Sequence, residues 1–253
     1  MVKTERIVFR NRYGEDIIAL LDSPFEPNGK GVVLLHCFLC SKDHSVMRAI
    51  AGSLVSSGFL VLRPDFSGSG ESGGHLEDAI YSKMISDAAD AVSYLESIGV
   101  GSIGMAGHSM GAMISLLCAS GDRRVKSVAF IAGSSEAGRV REIFPSDVID
   151  KAELDGSAEA VVYGRVMTLT RKFLDDIKRY DVPHSAASLG KPILIVHGTA
   201  DTVIPPSHAE RLYAFARGQK AMRLIKDADH HFRDSLCKKE LCDSICAWFN
   251  HNI

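Results

Sequence analysis

The chain has 253 residues, of which 46% are hydrophobic, 24% charged and 7% aromatic. Lys and Arg number 29 against 31 Asp and Glu, for a formal charge of -2. An ordinary apolar fraction excludes intrinsic disorder, and the even charge balance argues against a nucleic-acid partner or a polyacidic tail.

The start, Met1 to Arg6, is charged and has no apolar h-region, so no secretory signal is expected. The longest apolar stretches, 32–35 and 125–132, fall far short of the roughly 20 residues a membrane helix needs. A cytoplasmic location without a membrane partner is expected, with the 6 cysteines reduced there. The size suits one compact unit, and a homodimer stays open.

Arg6–Arg10 and Asp16–Asp22 read as a short opening pair of strands. Gly31–His36 is a near-continuous aliphatic run, as expected of a strand buried on both faces. Phe59–Pro64, Ser102–Gly107, Val125–Ala132 and Pro192–His197 have the same character, and Met222–Lys226 predicts a last strand. Between them, Val46–Ser57 and Ala79–Ile98 carry apolar residues at helical spacing, with Gly99 as a stop. Met110–Cys118, His208–Ala216 and Leu236–Phe249 are further helices. Strands alternating with helices predict an α/β fold with a mostly parallel sheet of about eight strands, covered on both faces.

Residues 134–188 break this rhythm. The stretch is polar and loop-rich at first, then strand-like over Ala160–Leu169 and helical over Arg171–Tyr180. It reads as a small cap inserted into a core made of 1–133 and 189–253. Its apolar members, among them Tyr163, Met167 and Phe173, either line a substrate pocket or pack the insertion onto the body.

Gly107-His108-Ser109-Met110-Gly111 matches G-x-S-x-G. The bare pattern is weak, but an apolar strand runs into it and a small-residue helix runs out. That setting makes a nucleophile elbow, with Ser109 on a sharp turn and the Met110 N–H facing an oxyanion. The plainer alternative is a glycine-rich turn whose serine caps a helix.

A serine hydroxyl needs a base, and the base needs an orienting acid. In this sheet class the order along the chain is Ser, then Asp or Glu, then His. Asp201, in H-G-T-A-D-T-V-I-P, follows a strand at the sheet edge where ligands bind. The plainer alternative is an ordinary turn aspartate capping the helix after Pro206. The base is His230 or His231, in A-D-H-H-F. Among the other histidines, His36 and His197 read as structural groups at strand ends. His44, His75, His184, His208 and His251 read as solvated, and His108 fills the variable slot of the elbow.

After the strand ending at His36 comes Cys37-Phe38-Leu39-Cys40. By position, the Phe38 N–H is the second oxyanion donor, although Cys37 stands where glycine is usual. Cys37-x-x-Cys40 also has redox-motif spacing, so a non-catalytic, redox-responsive module is an alternative. Residues 63–72 are glycine-rich but lack the endings of a phosphate loop or a dinucleotide fingerprint, and read as a tight structural loop.

Taken together, L-L-H-C-F, R-P-D-F-S-G-S-G-E-S, G-H-S-M-G, H-G-T-A-D-x-V-I-P and A-D-H-H-F resemble the α/β-hydrolase superfamily over nearly the whole chain. Within it the sequence is similar to small microbial carboxylesterases, including feruloyl esterases with a short cap. H-C-F-L-C-S-K-D and R-K-F-L-D-D-I look like the hydrolase half of bacterial fusions with a peroxide/osmotic-stress domain. The resemblance implies Ser109 as nucleophile, Asp201 as acid and His230 as base, because the family's histidine commonly follows Asp and precedes x-Phe. It also implies Phe38 and Met110 as oxyanion donors. The expected activity is hydrolysis of carboxylic esters of small or aromatic acids without metal or organic cofactor. Peptidase or thioesterase action by the same residues is the alternative.

Overall fold

The structure is a computed structural model and describes residues 3–253. Met1 and Val2, the first residues of the charged start, lie outside the described residues. Strands β1 (Lys3–Arg10) and β2 (Asp16–Ser23) form an antiparallel pair. β3 (Lys30–Leu35) leads through α1 (Ser45–Ser56) to β4 (Leu60–Pro64). α2 (Tyr81–Ser97), β5 (Ser102–His108), α3 (Met110–Gly121) and β6 (Val125–Ile131) follow. Residues 134–188 come next, and then β9 (Ile193–Gly198), α8 (Ser207–Phe215), β10 (Lys220–Ile225) and α9 (Ser235–Asn252).

The main sheet has 8 strands in the order β1-β2-β4-β3-β5-β6-β9-β10. β2 meets β4 antiparallel, and every pairing from β4 to β10 is parallel. The aliphatic runs explain why this sheet is sandwiched. In β3, Val33 and Leu35 enter the core facing α2 and α3, while Val32 and Leu34 enter the one facing α1 and α9. Successive side chains of a strand point to opposite faces, so a run with no polar residue demands cover on both. Each such side chain is 0–1% exposed, and full burial of one contributes about 1.5–3 kcal/mol.

The chain winds outward from β3 to β4, then returns to the other side of β3 with β5. The loops after β3 and β5 therefore diverge and leave a crevice at the carboxyl ends of the strands. This is where ligands bind in open α/β sheets.

Residues 134–188 differ from the sequence expectation in detail. The polar first part is helical, as α4 (Val140–Ile143) and α5 (Ser146–Asp155). The strand-like piece is two strands, β7 (Ser157–Val162) and β8 (Arg165–Thr170), paired antiparallel as a separate hairpin. Tyr163 and Gly164 make its turn, both with positive φ, at 49° and 76°. The helical piece is shorter than expected, α6 (Arg171–Ile177), and α7 (Val182–Ser188) returns the chain to the sheet. Thr170 and Asp181 cap these two helices, accepting hydrogen bonds from Phe173 N–H and His184 N–H. Among the described residues no helix is long and apolar enough to cross a membrane.

Candidate active site

Ser109 stands between the last residue of β5 and the first of α3, with φ 57° and ψ -116°. An L-residue with positive φ is uncommon and pays for the position in strain. Two features hold it there. The Ser109 N–H donates to the Ile131 carbonyl at the end of β6, at 2.9 Å. A Cβ on Gly107 would overlap the Gly111 carbonyl, and one on Gly111 would overlap the carbonyls of Leu35 and His36. Both glycines of the pattern are therefore required by close backbone approach, one inside the turn and one against β3.

Asp201 follows β9 and is 5% exposed. Its Oδ1 accepts the N–H groups of Val203 (2.9 Å) and Ile204 (2.8 Å), so the carboxylate closes its own turn. Its Oδ2 lies 2.7 Å from His230 Nδ1 and 3.2 Å from His197 Nε2. Burial alone would push this carboxyl up. The hydrogen bonds from His197, His230 and the Ile204 N–H outweigh burial and hold it well below the ordinary carboxylate range.

His230 follows β10, is 5% exposed, and presents Nε2 to the Ser109 hydroxyl at 3.1 Å. With Nδ1–H donated to Asp201, Nε2 carries the lone pair and accepts the Ser109 proton. Ser109, His230 and Asp201 are thus brought into one hydrogen-bonded series. Of the two adjacent histidines His230 makes these contacts, while the His231 Nδ1 is buried with no partner among the described residues.

Phe38 and Met110 are also drawn to this edge. Met110 opens α3, where the N–H groups lack intrahelical acceptors and the helix dipole favours negative charge. Among the described residues neither the Phe38 nor the Met110 N–H donates to a protein acceptor. The loop carrying Phe38 is fixed from both sides. His36, fully buried, donates Nδ1–H to the Cys37 carbonyl (2.8 Å) and accepts the Phe66 N–H at Nε2 (3.2 Å). Asp65 accepts the Lys42 N–H (2.7 Å), its ammonium (2.8 Å) and the Glu71 N–H (2.9 Å). The glycine-rich stretch 63–72 is the structural loop the sequence predicts, and it anchors the loop after β3.

Three sequence expectations are corrected. Cys37 and Cys40 are not free thiols but a disulfide. The turn closed by Cys40 N–H on the Cys37 carbonyl brings their Cα atoms to 5.3 Å, within bonding range. His44 is half-buried and stacks 5.8 Å from His108 rather than being solvated. His208 is also half-buried, and its Nδ1 accepts the Ser135 N–H at 3.2 Å. His197 is the structural group at a strand end that the sequence suggests, and shares its Nε2–H between the Ile204 carbonyl (2.8 Å) and Asp201.

The cap residues separate. Met167 is buried in the main core and Phe173 is half-buried with its ring 5.9 Å from Tyr81. Tyr163 is 73% exposed at the hairpin turn. One residue that no sequence signal marked is His108, fully buried, whose Nε2 lies 2.7 Å from the His230 carbonyl.

A family model described as the alpha/beta hydrolase fold matches residues 31–154, which span β3, the Ser109 turn and the start of the insertion. The chain has the α/β-hydrolase fold. The chain is similar in structure to the esterase Est1E of Butyrivibrio proteoclasticus, solved with ferulic acid bound. The TM-score is 0.82 at 20% identity, covering 97% of this chain and 98% of that one. It is also similar to the esterase domain of a Rhodothermus marinus protein, with TM-score 0.77, 25% identity and 99% of both chains covered. Protein YfhR of Salmonella typhi is 50% identical over 58 residues, which are 22% of this chain and 19% of that protein. The match therefore spans about a fifth of that relative's length.

Proposed function

We propose that this α/β-hydrolase is a serine carboxylesterase. The observation that carries the reading is the pair of hydrogen bonds on His230, 3.1 Å to Ser109 Oγ and 2.7 Å to Asp201 Oδ2. Ser109 Oγ attacks the ester carbonyl carbon while His230 Nε2 takes its proton. Asp201 keeps the imidazole in the required tautomer and stabilises the imidazolium. The N–H groups of Phe38 and Met110 stabilise the tetrahedral oxyanion, which collapses as His230 protonates the departing alcohol. Water then attacks the acyl-enzyme with His230 as base, and the acid leaves with Ser109 restored. The chain itself supplies every group these steps use.

Substrates are esters of small or aromatic acids, with 134–188 as the cap over Ser109. The ferulic acid bound in the similar Est1E supports an aromatic acyl group. The test is p-nitrophenyl acetate turnover together with labelling by an organophosphonate probe. Wild-type protein turns over the ester and is labelled, and Ser109→Ala loses labelling and at least about 10³-fold in kcat. Equal rates and labelling in both proteins would refute the assignment.

A further inference from the structure

Beside His230, whose ring centroid is 4.9 Å from that of His108, lies a cluster of imidazoles that the proposed hydrolysis does not use. His108 and His44 stack 5.8 Å apart, and one ligand atom from each, together with Cys37 Sγ, lie within 4.8 Å of one another. The Nδ1 atoms of His108 and His44 are both buried with no hydrogen-bond partner. Leaving a buried ring nitrogen unpaired is unfavourable, so a group that satisfies both at once has a reason to bind.

The geometry points to a redox-gated site for a zinc-class divalent cation, held by Cys37 Sγ, His108 Nδ1 and His44 Nδ1. Donor type fits, because one thiolate with two imidazoles is a zinc-like set. Tetrahedral ligands about 2.0–2.3 Å from a shared ion lie about 3.3–3.8 Å apart, so the cluster, within 4.8 Å, closes by up to about 1.5 Å when an ion is bound. The tautomer of His108 is already set. With Nε2–H donated to the His230 carbonyl at 2.7 Å, fully buried His108 turns its lone pair at Nδ1 into the cluster. A ligating histidine ordinarily has its other ring nitrogen bonded to a carbonyl in this way.

The gate is the disulfide. While Cys37 is bonded to Cys40, its sulfur is not a thiolate and the set lacks its charged member. A small thiol reductant supplies two electrons: two R–SH reduce the S–S bond to two cysteine thiols and become R–S–S–R. The cation then replaces the Cys37 thiol proton, which leaves to solvent. Three protein ligands leave one coordination position open.

The test is metal binding, which does not depend on ester turnover. Full-length protein, oxidised or reduced and then freed of reductant under anaerobic conditions, is titrated with Co²⁺ and, by chelator competition, with Zn²⁺. Reduced wild type is expected to take up one ion with thiolate-to-cobalt charge-transfer absorption, and oxidised wild type none. His44→Ala, outside the proposed hydrolytic residues, is expected to bind at least about 10-fold more weakly. Cys40→Ser leaves Cys37 without its disulfide partner and should bind without reduction. Absence of uptake in both reduced wild type and Cys40→Ser overturns the proposal, as does unchanged affinity in His44→Ala.

Discussion

His108 Nε2 lies 2.7 Å from the main-chain carbonyl of His230, so the variable residue of the elbow holds the residue that faces Ser109. The contact joins the end of β5 to the loop after β10, 122 positions apart in sequence. Its geometric effect is to set how far His230 reaches toward Ser109. His108→Phe keeps the volume and removes the donor. A buried hydrogen bond of this type is worth about 1–3 kcal/mol, so kcat for ester turnover should fall about 10- to 100-fold with KM little changed. His108→Gln, which retains a donor, should recover part of the loss. An unaltered kcat in His108→Phe would show that the contact does not position the base.

Asp201 carries two loads, and a single substitution separates them. Asp201→Asn retains an oxygen for the Val203 and Ile204 N–H groups, so the turn should survive and the thermal midpoint should drop only slightly. The charge facing His230 is lost, and the amide disfavours the tautomer with a proton on Nδ1. A fall in kcat of about 10³–10⁴ is expected. The measurement is kcat beside a melting curve, and loss of folding with no soluble protein would show that the turn, not the imidazole, depends on the charge.

Much of this arrangement is legible in the sequence because its causes are local. Gly107 and Gly111 are fixed by backbone approach, so the elbow has a written signature. The unbroken aliphatic runs announce a sheet covered on both faces. What is not legible depends on tertiary neighbours. Nothing near His44 or His208 in sequence tells that other elements bury them. In sequence the hairpin of β7 and β8 looks like one strand because its turn is Tyr163-Gly164, and not the Asn-Gly that marks a two-residue reversal. Cys37-x-x-Cys40 has the spacing of a bridged pair, but spacing alone does not tell a disulfide from two thiols.

Several histidines make stability depend on pH. His36 and His108 are fully buried with pKa values below the usual 6.5, mainly through burial, and His44 is pushed down to about 4 by the same cause. The unfolded chain binds protons on these rings near 6.5 while the folded chain does not. Their neutral forms therefore cost nothing above that pH, and stability falls as pH drops below it, for His44 until about 4. Each fully buried ring contributes a slope of up to about 1.4 kcal/mol per pH unit. Urea unfolding at about pH 7.5 and about pH 5 should show a lower midpoint at the acid value, with the difference reduced in His108→Phe. Equal midpoints would contradict neutral burial of these rings.

Tyr163 offers a test of what the hairpin turn is for. Its φ of 49° followed by 76° at Gly164 makes a turn that favours Asn at the first position, and a tyrosine there costs about 1 kcal/mol or more. The ring is also 73% exposed, so it gains little from packing in return. Tyr163→Asn should raise the thermal midpoint by about 2–4 °C. If the sequence keeps the tyrosine for substrate, the same variant should lose about threefold or more in kcat/KM on a hydroxycinnamate ester, worth roughly 0.7 kcal/mol, while p-nitrophenyl acetate is unaffected. A stabilised protein with both rates intact would assign the residue to neither turn stability nor binding, and would leave Met167 and Phe173 as the cap side chains to test next.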